Sequence, residues 1–139
     1  MTAISGEFPT SQLNRLPASP YYLEAVVTAL KKAGLLRTYY RDRLRGYRLG
    51  IKAKSALLDG WPERFTFCLT GDAETNRLKS EANRRFRLHR LAETYITMGN
   101  AGVLLYPDEK PKVFAQTGFG GETVTYPAFY SSREVKELG

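Results

Sequence analysis

Few residues in this chain can do chemistry. One histidine, His89, and one cysteine, Cys68, are the whole supply of imidazole and thiol in 139 residues. The adjacent phenols Tyr39 and Tyr40 resemble the nucleophile pair of a nicking enzyme. Such enzymes hold their metal with clustered histidines, which one histidine cannot supply, so both tyrosines are read as strand residues. His89, between Leu88 and Arg90 in a helical stretch, reads as a packed or surface side chain and not as a general base. Gly118-Phe119-Gly120-Gly121 has no preceding strand, no following helix and no Lys-Ser/Thr, all of which a phosphate-cradling loop requires. Asp108-Glu109 lies in turn-like surroundings. Cys68, in Arg64-Phe65-Thr66-Phe67-Cys68-Leu69, reads as a small buried hydrophobe. The sequence therefore predicts no catalytic residue, no metal site and no cofactor.

Charge is the positive signal. Residues 15–54 hold ten basic side chains (Arg15, Lys31, Lys32, Arg37, Arg41, Arg43, Arg45, Arg48, Lys52, Lys54) against Glu24 and Asp42, a surplus of eight. The other 99 residues hold 11 basic and 12 acidic side chains, so the net +7 of the chain comes from that stretch alone. A surplus concentrated in this way suits a polyanion, because each cation that neutralises a phosphate releases a condensed counterion. Cations also solvate helix faces and block the edges of hairpins, which would account for two or three of these side chains but not for all.

The elements that must carry these cations are legible in outline. Ser19 as a cap, Pro20 at the first helical position and Gly34 as a left-handed stop predict a helix over 19–33. Its expected core stripe is Leu23, Val26, Val27 and Leu30, which leaves Tyr21, Tyr22, Thr28, Lys31 and Lys32 outward. A shorter helix is expected over 10–16, ended by Pro17. Residues 36–41 and 46–49 flank Asp42-Arg43-Leu44-Arg45 as a two-stranded hairpin, with Leu36, Tyr40, Tyr47 and Leu49 as inward anchors and arginine on the outer face and tip. A short helix over 51–58, stopped at Gly60, and an aromatic-rich extended segment or linker over 61–69 follow. One long helix is predicted from Asp72 to about Met98, with Leu78, Ala82, Phe86, Leu91, Ala92, Tyr95 and Met98 as its apolar stripe and Arg77, Arg84 and Arg87 on another face. Extended runs at 102–106, 113–115 and 122–129 suggest a hairpin or meander, with a loop at 118–121. Ser131 and Glu134 form a capping box with four or five residues after it, the pattern of a shortened form of a longer protein.

Short helix, turn, longer helix and basic hairpin is the order of a winged helix. The fold class expected is thus α+β: a winged helix-turn-helix over residues 1–60, then a long helix and a small β unit over 61–139. No run approaches the length of a membrane span and the start has no signal-peptide pattern, so a cytoplasmic protein is expected.

Gly6-Glu7-Phe8-Pro9, Leu13-Asn14-Arg15-Leu16-Pro17, residues 21–27, Leu30-Lys31-Lys32-Ala33-Gly34-Leu35-Leu36 and Leu44-Arg45-Gly46-Tyr47-Arg48-Leu49 resemble the N-terminal winged helix of the replication-relaxation proteins. Those occur on plasmids, phages and integrative elements of Gram-positive bacteria. The resemblance covers residues 3–60, and the later part is similar to the middle of longer members. In the family a helix precedes the Gly-Glu-Phe-Pro segment, whereas here only residues 1–5 stand in its place. The resemblance implies a DNA-binding protein of a mobile element, acting in plasmid replication, transfer or transcriptional control.

The site expected is non-catalytic and faces double-stranded DNA. Ser19, Tyr21, Tyr22, Thr28, Lys31 and Lys32 lie on the helix that would enter the major groove, and Arg37, Tyr39, Arg41, Arg43, Arg45 and Arg48 lie on the wing. The long helix is where a homodimer would form. Two other functions stay open: a winged helix that docks on an acidic protein partner, and the non-catalytic N-terminal half of a nuclease.

Overall fold

Ser19 Oγ accepts a hydrogen bond from the Tyr22 amide at 3.3 Å, and Pro20 opens the helix it caps, α2 (Pro20–Lys32). At the other end Gly34 takes φ 71°, the Leu35 amide bonds Leu30 O and the Gly34 amide bonds Lys31 O. That pair of bonds is a Schellman stop, which only a residue free of a Cβ penalty closes cheaply. Lys31 and Lys32 in the last turn complement the negative end of the helix dipole. In this computed structural model the chain is α+β. The structure describes residues 1–78, 80–109, 112–116 and 123–127, with 73, 76–78 and the last two segments described by backbone alone. The chain divides into two units, Met1–Val103 and Leu104–Gly139, and the boundary expected near residue 60 falls inside the first.

The first unit opens with a short helix α1 (Thr2–Ser5) and a two-residue strand β1 (Phe8–Pro9), followed by a 3-10 turn at Thr10–Arg15 where a short helix was expected. After α2 come β2 (Leu36–Arg41) and β3 (Leu44–Leu49), antiparallel, with Arg41 opposite Leu44 and Asp42-Arg43 as the two-residue turn. The expected hairpin is present, two residues longer on its second strand. β1 adds to the free edge of β3, Phe8 opposite Tyr47 and Pro9 opposite Gly46, so the strand order is β1-β3-β2. Both turn residues have positive φ, 52° at Asp42 and 60° at Arg43, the geometry that matches the twist of a two-residue hairpin.

Four helices follow: α3 (Ile51–Gly60), α4 (Pro62–Leu69), α5 (Gly71–Leu78) and α6 (Ala82–Asn100). The segment expected to be extended at 61–69 is helical. Pro62 starts it, Glu63 stands in its first turn, and Phe65, Cys68 and Leu69 bury one helical face while Phe67 points out. Aromatic content suggests extended backbone or a linker there; the spacing of the residues that bury obeys the helix. The single long helix expected from Asp72 is two, α5 and α6, with Glu81 in an extended conformation at the start of α6. α1 packs against α4 and α6, so that Ala3 and Ile4 are buried. Phe8, Ala92 and Ile96 make a second cluster, lined by Leu13, Leu16 and Tyr47. No helix of the described residues is long and apolar enough to cross a membrane.

In the second unit β4 (Lys112–Gln116) pairs antiparallel with β5 (Thr123–Pro127), as expected for 113–115 and 122–129. Residues 102–106 are irregular and not extended in a sheet. The loop read at 118–121 and the capping box at Ser131 and Glu134 lie outside the described residues, as do the side chains of Arg77 and Leu78.

Candidate nucleic-acid interface

Two exposed elements of the first unit carry the cations. Along α2, Tyr21 is 84% and Tyr22 60% exposed, and Thr28, Lys31 and Lys32 are exposed beyond them. Val26, Val27 and Leu30 are only half-buried, and Leu23 alone of the expected stripe is buried, so α2 lies loosely on the unit and shows most of its circumference. The hairpin tip presents Arg41, Arg43 and Arg45, all exposed. Arg41 makes an open ion pair with Asp42 at 3.7 Å, and the Arg45 guanidinium lies 5.2 Å from the ring centre of Tyr40. Lys31 approaches the Tyr47 ring at 5.9 Å, which ties the end of α2 to the sheet.

Beneath the hairpin is a buried ionic centre built on Glu7, whose side chain is fully excluded from solvent. Arg85 of α6 donates from Nη2 to Oε1 at 2.6 Å and from Nε to both oxygens. Arg48 of β3 donates from Nε to Oε2 at 2.7 Å, and His89 Nε2 stands 2.7 Å from Oε1. A carboxylate only accepts, so that His89 nitrogen carries a hydrogen. Burial pushes the Glu7 carboxyl upward, but hydrogen bonds from His89, Arg85 and Arg48 outweigh it and hold the group at about 2. Gly46 makes room: a Cβ there would overlap the Glu7 carboxylate.

Arg85 also holds the hairpin. Its Nη1 donates to Arg41 O at 2.7 Å, and its Nη2 to Leu44 O at 2.9 Å and Tyr39 O at 3.3 Å. The carbonyls of the last cross-strand pair before the turn, Arg41 and Leu44, are therefore bonded from α6. Tyr39 lies between two guanidinium groups, with Arg48 at 4.0 Å and Arg85 at 4.6 Å from its ring centre. Contacts with Ser80, and then Arg41, draw its phenol below the ordinary tyrosine value.

The structure brings Tyr21, Tyr22, Thr28, Lys31, Lys32, Arg37, Arg41, Arg43 and Arg45 to the surface. It removes Arg48 from the expected outer face: that side chain is 3% exposed and is bound to Glu7. Tyr39 is half-buried between guanidinium groups, and Ser19 uses its hydroxyl as a helix cap. Tyr40, expected inward, is 62% exposed. The expected stripe of the long helix is corrected as well: Phe86 and Met98 are exposed, and Arg85, His89, Ala92 and Ile96 are buried. Reading apolar residues alone misplaces this helix, because a buried carboxylate recruits the two polar residues one turn apart. The signal for it is Glu7, an acid directly before the short apolar strand β1.

Among the described residues no group of three or more His, Cys, Asp or Glu side chains could hold a metal ion. Comparison with protein-family models, with curated proteins and with solved structures gives no match.

Proposed function

We propose that this chain is a non-enzymatic protein that binds double-stranded DNA, with residues 2–49 acting as a winged helix. Support comes from the order helix, strand, helical turn, helix, strand, strand and from the sheet order β1-β3-β2. In this reading α2 enters the major groove and offers Tyr21, Tyr22 and Thr28 to base edges or phosphates. The hairpin tip reaches the neighbouring phosphates or minor groove. The observation that carries the reading is Arg43, which holds φ 60° at the turn between exposed Arg41 and Arg45. Glycine would fill that position at about 1 kcal/mol less conformational cost, so the chain accepts strain where it displays a guanidinium. Function in a mobile element, in plasmid replication, transfer or transcriptional control, within the cytoplasm, is the further part of the proposal and rests on the resemblance of residues 3–60.

Affinity for a duplex measured at two salt concentrations tests it. Binding should weaken steeply with salt, log K falling by about 0.9 per phosphate contact for each log unit of salt. No duplex binding at ~50 mM salt overturns the reading in favour of docking on an acidic protein. Metal-dependent nicking of supercoiled plasmid, lost on changing one residue of the chain, would overturn its non-enzymatic part.

A further inference from the structure

At the base of the hairpin, where β2 begins and β3 ends, lies a cavity of about 550 Å³. That is the volume range of sites for small organic molecules. Leu49, Cys68 and Leu69 line it with apolar surface, and Arg37, Arg48 and Lys52 bring cations to it. Lys54 and Glu74 also line it and pair with one another.

Two features bring unneutralised donors and positive charge to the residues of its wall. Arg37 and Arg48 stand directly opposite on neighbouring strands, so two like charges share one face of the hairpin. Arg48 is 3% exposed, and its Nη2 is a buried donor with no hydrogen-bond partner, although its Nε and Nη1 are both bonded. A buried guanidinium nitrogen left unbonded is unusual, since buried polar groups are almost always satisfied. The start of α3 adds to this. Gly50 precedes it with no side-chain cap, and Gly50, Ile51 and Lys52 line the cavity, so the positive end of the ten-residue helix lies at its wall.

We propose that the cavity binds a small organic anion with an apolar body, its carboxylate or phosphate head among Arg37, Arg48 and Lys52. The body packs on Leu49, Cys68 and Leu69. Guanidinium groups suit either head because both present a pair of acceptor oxygens spaced for two parallel N–H···O bonds.

Calorimetric titration and thermal melting of the whole chain, with octanoate and with octyl phosphate as probes, test this. At least one should bind and raise the melting temperature, and the tighter of the two identifies the head. 1-Octanol and inorganic phosphate, each holding half of the recognition, should bind at least about tenfold more weakly. Arg37 and Lys52 are exposed, so the double variant R37A/K52A should keep the fold while weakening the better probe by about tenfold or more. I51D is the second check. Ile51 is 87% exposed and opens α3, so an acid there favours the helix terminus while repelling an anion from the cavity. Failure of both probes to bind at millimolar concentration overturns the proposal, as does binding that R37A/K52A and I51D leave unchanged. Neither result depends on whether the chain binds DNA.

Discussion

Arg85 and Glu7, 78 residues apart in sequence, meet at 2.6 Å with both side chains fully excluded from water. Through this pair α6 reaches beneath the sheet, and from the same guanidinium it bonds the backbone of the hairpin turn. The hairpin turn is thus held from below by a buried charge, beside the apolar cluster of Phe8, Ala92 and Ile96 on which Tyr47 packs, and stability and display of the tip arginines are linked.

Removing one partner should show that linkage. Glu7→Gln keeps the shape but leaves two guanidinium groups without their anion, and Arg85→Met leaves the carboxylate and three hairpin carbonyls short of a donor. Each should cost about 3–5 kcal/mol in urea unfolding, the range for breaking a buried ion pair. A loss below about 1 kcal/mol for both would mean that the centre relaxes by hydration, and the hairpin would not depend on it.

Acid unfolding should carry the signature of Glu7. Its folded value, about 2, lies below the ordinary 4.5, so the unfolded chain takes up the proton first as pH falls. Its contribution is complete above about pH 4.5 and is lost progressively toward pH 2, on the order of 3 kcal/mol in all. Comparing stability against pH for the parent and Glu7→Gln isolates this contribution. Parallel curves across that window would refute it.

Gly46→Ala tests the packing over the carboxylate. The added Cβ overlaps Glu7, which three side chains hold in place, so neither can yield without loss. A destabilisation of about 1–3 kcal/mol is expected, read as a lower denaturation midpoint at unchanged slope. Gly60→Ala is the control, because nothing lies near the new atom and helix propensity improves.

Arg43→Gly separates stability from function. Relief of positive φ should raise stability by up to about 1 kcal/mol. Under the proposed function, affinity for every duplex should fall and the salt slope should drop by about one unit. Tighter or unchanged DNA binding in Arg43→Gly would leave the strain without a functional account.

Replacing Arg41, Arg43 and Arg45 together by alanine should weaken all duplexes about equally, with folding changed by no more than about 1 kcal/mol. Tyr22 and Thr28 variants should instead alter the preference among sequences, since contacts to base edges and to phosphates do different work. An unchanged salt slope in the triple variant would reduce the hairpin tip to a device for solubility.

Local chemistry was enough to read α2 and the hairpin. Ser19, Pro20 and Gly34 act through their own backbone within a few residues, so the helix they bound is written in the sequence. The aromatic and β-branched runs on either side of a short polar segment likewise announce a hairpin, and the concentration of cations on it needs only counting. α4 was misread because aromatic residues suit both a strand and a buried helical face, and only the packing of Phe65, Cys68 and Leu69 decides between them. The fate of Arg48 could not be read at all. Its neighbours Arg45 and Arg43 are chemically alike and exposed, and the difference lies in Glu7, 41 positions before it, and in Arg85 and His89, about as far after it. A charged side chain goes inside only where an opposite charge is already held, and which residues meet there is settled by tertiary packing, not by local sequence.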